Sequence, residues 1–206
     1  MTKIKICGLK RPEDIAYANE LQPDYIGFVF AKSKRQVTRA QAAELKGQLA
    51  PSIKAVGVFV KEEVVQVAKI ANAGIIDVIQ LYGDETPEFC TMLGKLTKAP
   101  IIKVIRVKDA SSLENLDSYH CTYFLFDTYS ATNYGGVGSG FDFTLLNKAV
   151  IPRPFFLAGG LGATNVRQVI QTVQPYGVDV SGGVEVDGYK NLEKMQEFIT
   201  AVRKGE

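Results

Sequence analysis

Tryptophan is absent from the 206 residues, histidine occurs once and cysteine three times. A single histidine, His120, cannot supply the ligand clusters that zinc sites use, and no Cys-x-x-Cys pair occurs, so no metal is expected. Cys7, Cys90 and Cys121 are odd in number and widely spaced, which argues equally against a disulfide framework. Charge of one sign is also scarce. The 24 Lys and Arg against 22 Asp and Glu give a net charge of +2, with the signs interspersed. Nucleic acid or an acidic membrane surface would call for a basic block that is missing, and a small, neutral partner is the better expectation. No apolar run approaches the roughly 18 residues of a membrane span. The N-terminus, Met-Thr-Lys-Ile-Lys-Ile-Cys-Gly, alternates like a strand and lacks the apolar core of a signal peptide. Reduced thiols and no targeting segment point to the cytoplasm.

What is present is a regular alternation. Short β-branched and aromatic runs at Lys3–Cys7, Tyr25–Phe30, Ala55–Phe59, Asp77–Leu81, Ile101–Val107, Tyr123–Asp127, Phe155–Ala158 and Val178–Ser181 read as eight strands. Segments with apolar spacing near 3.6 lie between them and read as helices: Pro12–Leu21, Arg39–Leu49, Glu62–Ala73, Pro87–Leu96, Ala163–Val173 and Leu192–Val202. Strict alternation implies parallel strands joined by crossovers. The count favours a closed (β/α)8 barrel over an open doubly wound sheet, and no GxGxxG or P-loop follows any strand. The cluster Gly135–Gly140 lies well after a strand and reads as an active-site loop. No linker interrupts the chain, so residues 1–206 form a single-domain barrel in this reading.

Chemistry in such barrels sits at the C-terminal strand ends. Cys7, Gln80, Arg106, Asp127 and Ser181 lie at or near such ends. Alternation sets Lys5 on the same face as Cys7, about 7 Å away, where its charge would raise the thiolate fraction. Asp179 on strand 8 is the expected counter-ion of Lys5, because strands 8 and 1 are neighbours in a closed barrel. Asp127 closes the apolar run Tyr123-Phe124-Leu125-Phe126. A carboxyl acid and a thiol base suit an isomerase, although Cys7 could also be a packing residue and Asp127 a cap. Paired glycines end strand 7 (Gly159, Gly160) and strand 8 (Gly182, Gly183), at the usual phosphate site of these barrels; plain tight turns are the alternative, but the matching pairs at those two strands favour a phosphorylated substrate. Arg35, after strand 2, could form a bidentate pair with a substrate carboxylate or lie solvated in its loop. His120 reads as a surface residue, and Cys90 and Cys121 as packing residues.

Together these residues resemble the phosphoribosylanthranilate isomerase family. The resemblance covers nearly the whole chain. It rests on Lys5-Ile6-Cys7-Gly8, Gly27-Phe28-Val29-Phe30, Ser33-Lys34-Arg35, Gly57-Val58-Phe59-Val60, Gln80-Leu81-Tyr82-Gly83, Phe126-Asp127-Thr128, Phe141-Asp142-Phe143, Ala158-Gly159-Gly160-Leu161 and Val178-Asp179-Val180-Ser181-Gly182-Gly183-Val184-Glu185.

The resemblance implies a cofactor-free Amadori rearrangement of N-(5-phosphoribosyl)anthranilate to 1-(2-carboxyphenylamino)-1-deoxyribulose 5-phosphate in tryptophan biosynthesis. It makes Asp127 the general acid, Cys7 as thiolate the general base, and Arg35 the ligand of the anthranilate carboxylate. Gly159, Gly160, Gly182 and Gly183 would hold the phosphate, with Asp179 also among the substrate-binding residues. A free thiol is only a few per cent ionised at pH 7, so the site is expected to favour the thiolate. Three positions depart from the family's usual residues: Tyr82 replaces His, Gly182 replaces Ser and Phe143 replaces Trp. The rival readings are a related barrel isomerase of histidine biosynthesis, against which Cys7 argues, an indole-glycerol-phosphate synthase, and a silent barrel that only binds a phosphosugar. A monomer and a homodimer fit the sequence equally.

Overall fold

The computed structural model describes residues 1–128 and 143–204. Eight strands pair in parallel in chain order: β1 (Lys3–Cys7), β2 (Tyr25–Val29), β3 (Lys54–Phe59), β4 (Val78–Leu81), β5 (Ile101–Val107), β6 (Tyr123–Thr128), β7 (Phe155–Leu157) and β8 (Gly177–Val180). β8 returns to β1, with Lys5 opposite Asp179 and Ile6 opposite Val180, and the sheet closes into the expected (β/α)8 barrel.

Alternation along the strands divides the apolar residues between two cores. Val56, Val78, Ile102, Val104, Leu125, Phe156 and Ala158 fill the barrel, with Tyr25, Tyr123 and Tyr176 packed against them. The other strand face, including Ile4, Ile6, Phe28, Ile79, Leu81 and Phe126, packs outward. It meets the helices α1 (Pro12–Leu21), α2 (Arg39–Gln48), α3 (Val64–Asn72), α4 (Pro87–Leu96), α5 (Thr144–Lys148), α6 (Val166–Val173) and α7 (Leu192–Arg203). Local chemistry sets where these helices start. Thr38 and Gln41 form a reciprocal capping box on α2, and Thr86 caps α4 just before Pro87 at its first position. Losing such a cap costs about 1 kcal/mol.

Four connections depart from a regular strand–helix repeat or from the expected bounds. The β5–β6 crossover has no α-helix. It makes two 3-10 turns, Ala110–Leu113 and Leu116–Ser118, because Asp109 and its serines bond their own backbone, and Asn115 adopts a left-handed φ of 56°. α5 is too short to show a helical period. After β8 the chain forms a 3-10 turn and a small hairpin of β9 (Glu185–Val186) and β10 (Tyr189–Lys190) before α7. α6 begins at Val166, not Ala163, because Asn165 ties down the preceding loop: its Oδ1 accepts from Gly162 N and its Nδ2 donates to Gly160 O. The Gly135–Gly140 cluster and the Phe141-Asp142 pair lie outside the described residues.

Candidate active site

The strand ends surround a cavity of about 710 Å³ lined by Cys7, Gln80, Tyr82, Asp127, Asp179, Arg35 and both glycine pairs. The expected acid, base and substrate-binding residues therefore border one space. Arg106, also near a strand end, does not line it. It turns aside to Asp84 (Nη2–Oδ1 2.6 Å). A second hollow of about 450 Å³, between the 3-10 turns and α5, shares no lining residue with this cavity.

β1 carries Lys5 and Cys7 on the inner face. Lys5 is fully buried, and its Nζ donates to Asp179 Oδ1 at 2.9 Å across the β1–β8 seam, which is the pairing expected from alternation. Burial alone would lower the Lys5 pKa, but Asp179 and Cys7 more than offset it and hold the ammonium above its usual range. For Cys7 the balance corrects the sequence reading. Burial pushes the thiol up, and the opposing pull of Lys5 and Lys190 does not overcome it, so the thiol is the favoured form. Lys5 acts in the expected direction; it is outweighed.

β6 presents Asp127, buried at the end of its apolar run. Tyr82, directly after β4, donates a hydrogen bond from its hydroxyl to Asp127 Oδ2. Burial and the adjacent carboxylate raise the Tyr82 pKa far above the ordinary phenol value, so it stays a neutral donor. The substitution of Tyr for His was visible; the contact needs the fold.

The glycine pairs have distinct reasons. Gly159 and Gly160 take φ of 95° and 67°, which side chains disfavour. A Cβ on Gly183 would sit 2.3 Å from the Leu161 carbonyl oxygen, so glycine there lets the turn after β8 approach the turn after β7. Gly182 has room, with only Arg35 Nη2 at 3.7 Å, so its lost hydroxyl reflects no steric need.

Arg35 is not solvated in its loop. Its Nε and Nη2 donate to Glu185 Oε1 and Oε2 at 2.7 and 2.8 Å. Lys190 Nζ donates to the same Glu185 Oε1 at 2.7 Å and to the Ser181 carbonyl at 3.0 Å. Burial opposes ionisation of Glu185, but these two cations pull its pKa down to about 2. Lys190 went unnoticed because its hairpin has no periodicity. His120 is exposed, while burial raises Cys90 to about 11 and Cys121 to about 12, as suits inert packing thiols.

The family model for N-(5'-phosphoribosyl)anthranilate isomerase matches residues 4–201. The chain belongs to the phosphoribosylanthranilate isomerase family. It is an isomerase of tryptophan biosynthesis. Among curated relatives it is 48% identical, over 98% of both chains, to the N-(5'-phosphoribosyl)anthranilate isomerase of Thermoanaerobacter sp. (strain X514). It is 44% identical, over 99% of both chains, to that of Clostridium acetobutylicum. The crystal structure of phosphoribosyl anthranilate isomerase from Thermotoga maritima superposes with a TM-score of 0.88 at 32% identity, covering 99% of this chain and 100% of that one. Another solved isomerase (TM-score 0.85, 32% identity, coverage 99% and 100%) holds reduced 1-(o-carboxyphenylamino)-1-deoxyribulose 5-phosphate. No helix among the described residues is long and apolar enough to cross a membrane.

Proposed function

We propose that this chain converts N-(5-phosphoribosyl)anthranilate to 1-(2-carboxyphenylamino)-1-deoxyribulose 5-phosphate, with Asp127 as general acid and Cys7 as general base. The observation that carries this reading is the shared cavity: an acid, a thiol beside a buried ammonium, a bidentate arginine and two glycine turns face one space. Asp127 gives its proton to the furanose ring oxygen as the C1′–O bond breaks and the nitrogen lone pair forms a C=N bond. The Cys7 thiolate then takes the C2′ proton. The C–H electrons become the C1′=C2′ bond and the iminium nitrogen is neutralised. Net transfer of a proton from the C2′ hydroxyl to C1′ leaves the ketone.

Tyr82 acts as a positioning residue that fixes the Asp127 carboxyl through its Oδ2. Lys5 lowers the cost of the thiolate at Cys7, and Asp179 keeps Lys5 in place. The glycine turns at 159–160 and 182–183 receive the phosphate, and Arg35 the anthranilate carboxylate. Loss of phosphoribosylanthranilate fluorescence, with the substrate generated in situ, tests the roles. Cys7→Ser and Asp127→Asn should each lower kcat by at least about a hundredfold, the scale of a lost general acid or base. Wild-type turnover with either variant near full rate would remove that residue from its role. A wild type that binds without turnover would leave a phosphosugar-binding barrel.

A further inference from the structure

Arg35 is constrained on several sides, and the constraint has a direction. Its side chain lies flat across Gly8, where a Cβ would come within 2.4 Å of Arg35 Cδ. From there it reaches past the end of β1 to the turn after β8. Glu185 occupies the side-on edge of the guanidinium, Nε and Nη2. The end-on edge, Nη1 with the second Nη2 hydrogen, has no protein acceptor among the described residues. Glu185 is itself fixed by Lys190, whose Nζ is almost fully buried and also holds the Ser181 carbonyl. Ser181 in turn donates to the Cys7 carbonyl at 2.9 Å. Arg35 and the almost fully buried Lys190 thus share one carboxylate, with the exposed Lys34 Nζ also 4.0 Å from its Oε2, so cations outnumber the carboxylate at this wall of the cavity.

We infer that Glu185 and Lys190 are positioning residues for substrate selection: they fix Arg35 so that its end-on edge faces the cavity and reads a planar carboxylate on the substrate's aromatic ring. This rests on the reading of the cavity as the phosphoribosylanthranilate site. Two parallel N–H groups in one plane match the two oxygens of a carboxylate, whereas a tetrahedral phosphate is served by the backbone of the glycine turns. A guanidinium free to rotate would lose rotamer entropy on binding; one already held by Glu185 loses less. The residual positive charge favours an anion at that edge, and the filled side-on edge limits it to a single approach.

The test measures binding, not turnover, so a chain that fails to isomerise still answers it. Calorimetry would compare the reduced product, 1-(2-carboxyphenylamino)-1-deoxyribitol 5-phosphate, with its phenylamino counterpart, which lacks only the carboxylate. Glu185→Gln should weaken the carboxylate ligand by at least about tenfold, the scale of a charge-assisted hydrogen bond, and change the phenylamino ligand less than about twofold. Arg35→Met combined with Glu185→Gln should bind no worse than Arg35→Met alone. If Glu185→Gln does not fold, Lys190→Met gives the same comparison with Glu185 retained. Equal weakening of both ligands would overturn the inference and assign the cluster to the phosphate turns or the fold. Unchanged binding of the carboxylate ligand would overturn it as well.

Discussion

Two lysines sit in the middle of barrel strands, both almost completely buried, and they do different things. Lys5 on β1 points into the barrel, pairs with Asp179 and lies beside Cys7. Lys103 on β5 points outward, where its Nζ donates to the Gly83 carbonyl at 2.7 Å and to Glu85 at 3.2 Å. Glu85 also accepts from the Lys61 backbone N–H at 2.8 Å, so the outer pair ties together the loops that follow β3 and β4. Burial lowers the Lys103 pKa against the pull of Glu85, while Asp179 and Cys7 raise that of Lys5 despite burial. A buried lysine is therefore not by itself a mark of function. What it faces decides: the Cys7 thiol at the cavity on one side of the sheet, the Gly83 carbonyl and the Glu85 carboxylate on the other.

Substitution separates the two. Lys5→Met should have the largest effect, because it strands Asp179 and removes the charge nearest Cys7. Breaking one partner of a buried pair costs about 3–5 kcal/mol, or a Tm loss of about 6–20 °C for a chain of this size. At neutral pH kcat/KM should also fall about tenfold for each unit by which the Cys7 pKa rises. Lys103→Met should show the same order of Tm loss with kcat near wild type, and adding Glu85→Gln should recover part of it, read by thermal unfolding and steady-state kinetics. A large kcat loss in Lys103→Met at unchanged Tm would break the comparison.

Tyr82→Phe tests the loop that Lys103 supports. Loss of the donor to Asp127 should lower kcat by about tenfold while leaving KM within a few fold, as suits a residue that orients the acid. The smallest effect concerns Glu185 and acid stability. Its folded pKa of about 2 lies below the ordinary 4.5, so it contributes stability above pH 4.5 that is lost as pH falls towards 2. A Tm profile of Glu185→Gln should be flatter than wild type across that window, and a parallel profile would contradict the assignment.

The same two lysines show what the sequence made legible. Lys5 was found because period-two alternation puts it with Cys7, and barrel closure supplies Asp179 as neighbour. Both are properties of regular strands. Lys103 gave no signal, since its partners lie in the irregular loop after β4. The contact of Tyr82 with Asp127 and the role of Lys190 give no signal for the same reason: a contact between a loop residue and a distant strand has no period to betray it. The two 3-10 turns after β5 escaped because Ser, Asp and Asn that bond their own backbone mimic the composition of a plain loop. The direction of the Cys7 shift was misjudged because burial, which dominates it, is a property of the closed barrel.

The most direct test of the central claim, that Cys7 is the base and Lys5 tunes it, is the thiol titration of Cys7 set beside the pH dependence of kcat/KM. Both would be measured in a Cys90→Ser, Cys121→Ser background with and without Lys5→Met. A base acts deprotonated and burial raises this thiol, so the rate should climb with pH along a limb that coincides with the thiolate signal and lies above the usual thiol range. Lys5→Met should move both curves to higher pH together. A rate limb that does not follow the thiolate, or a Cys7 titration unmoved by Lys5→Met, would contradict the account.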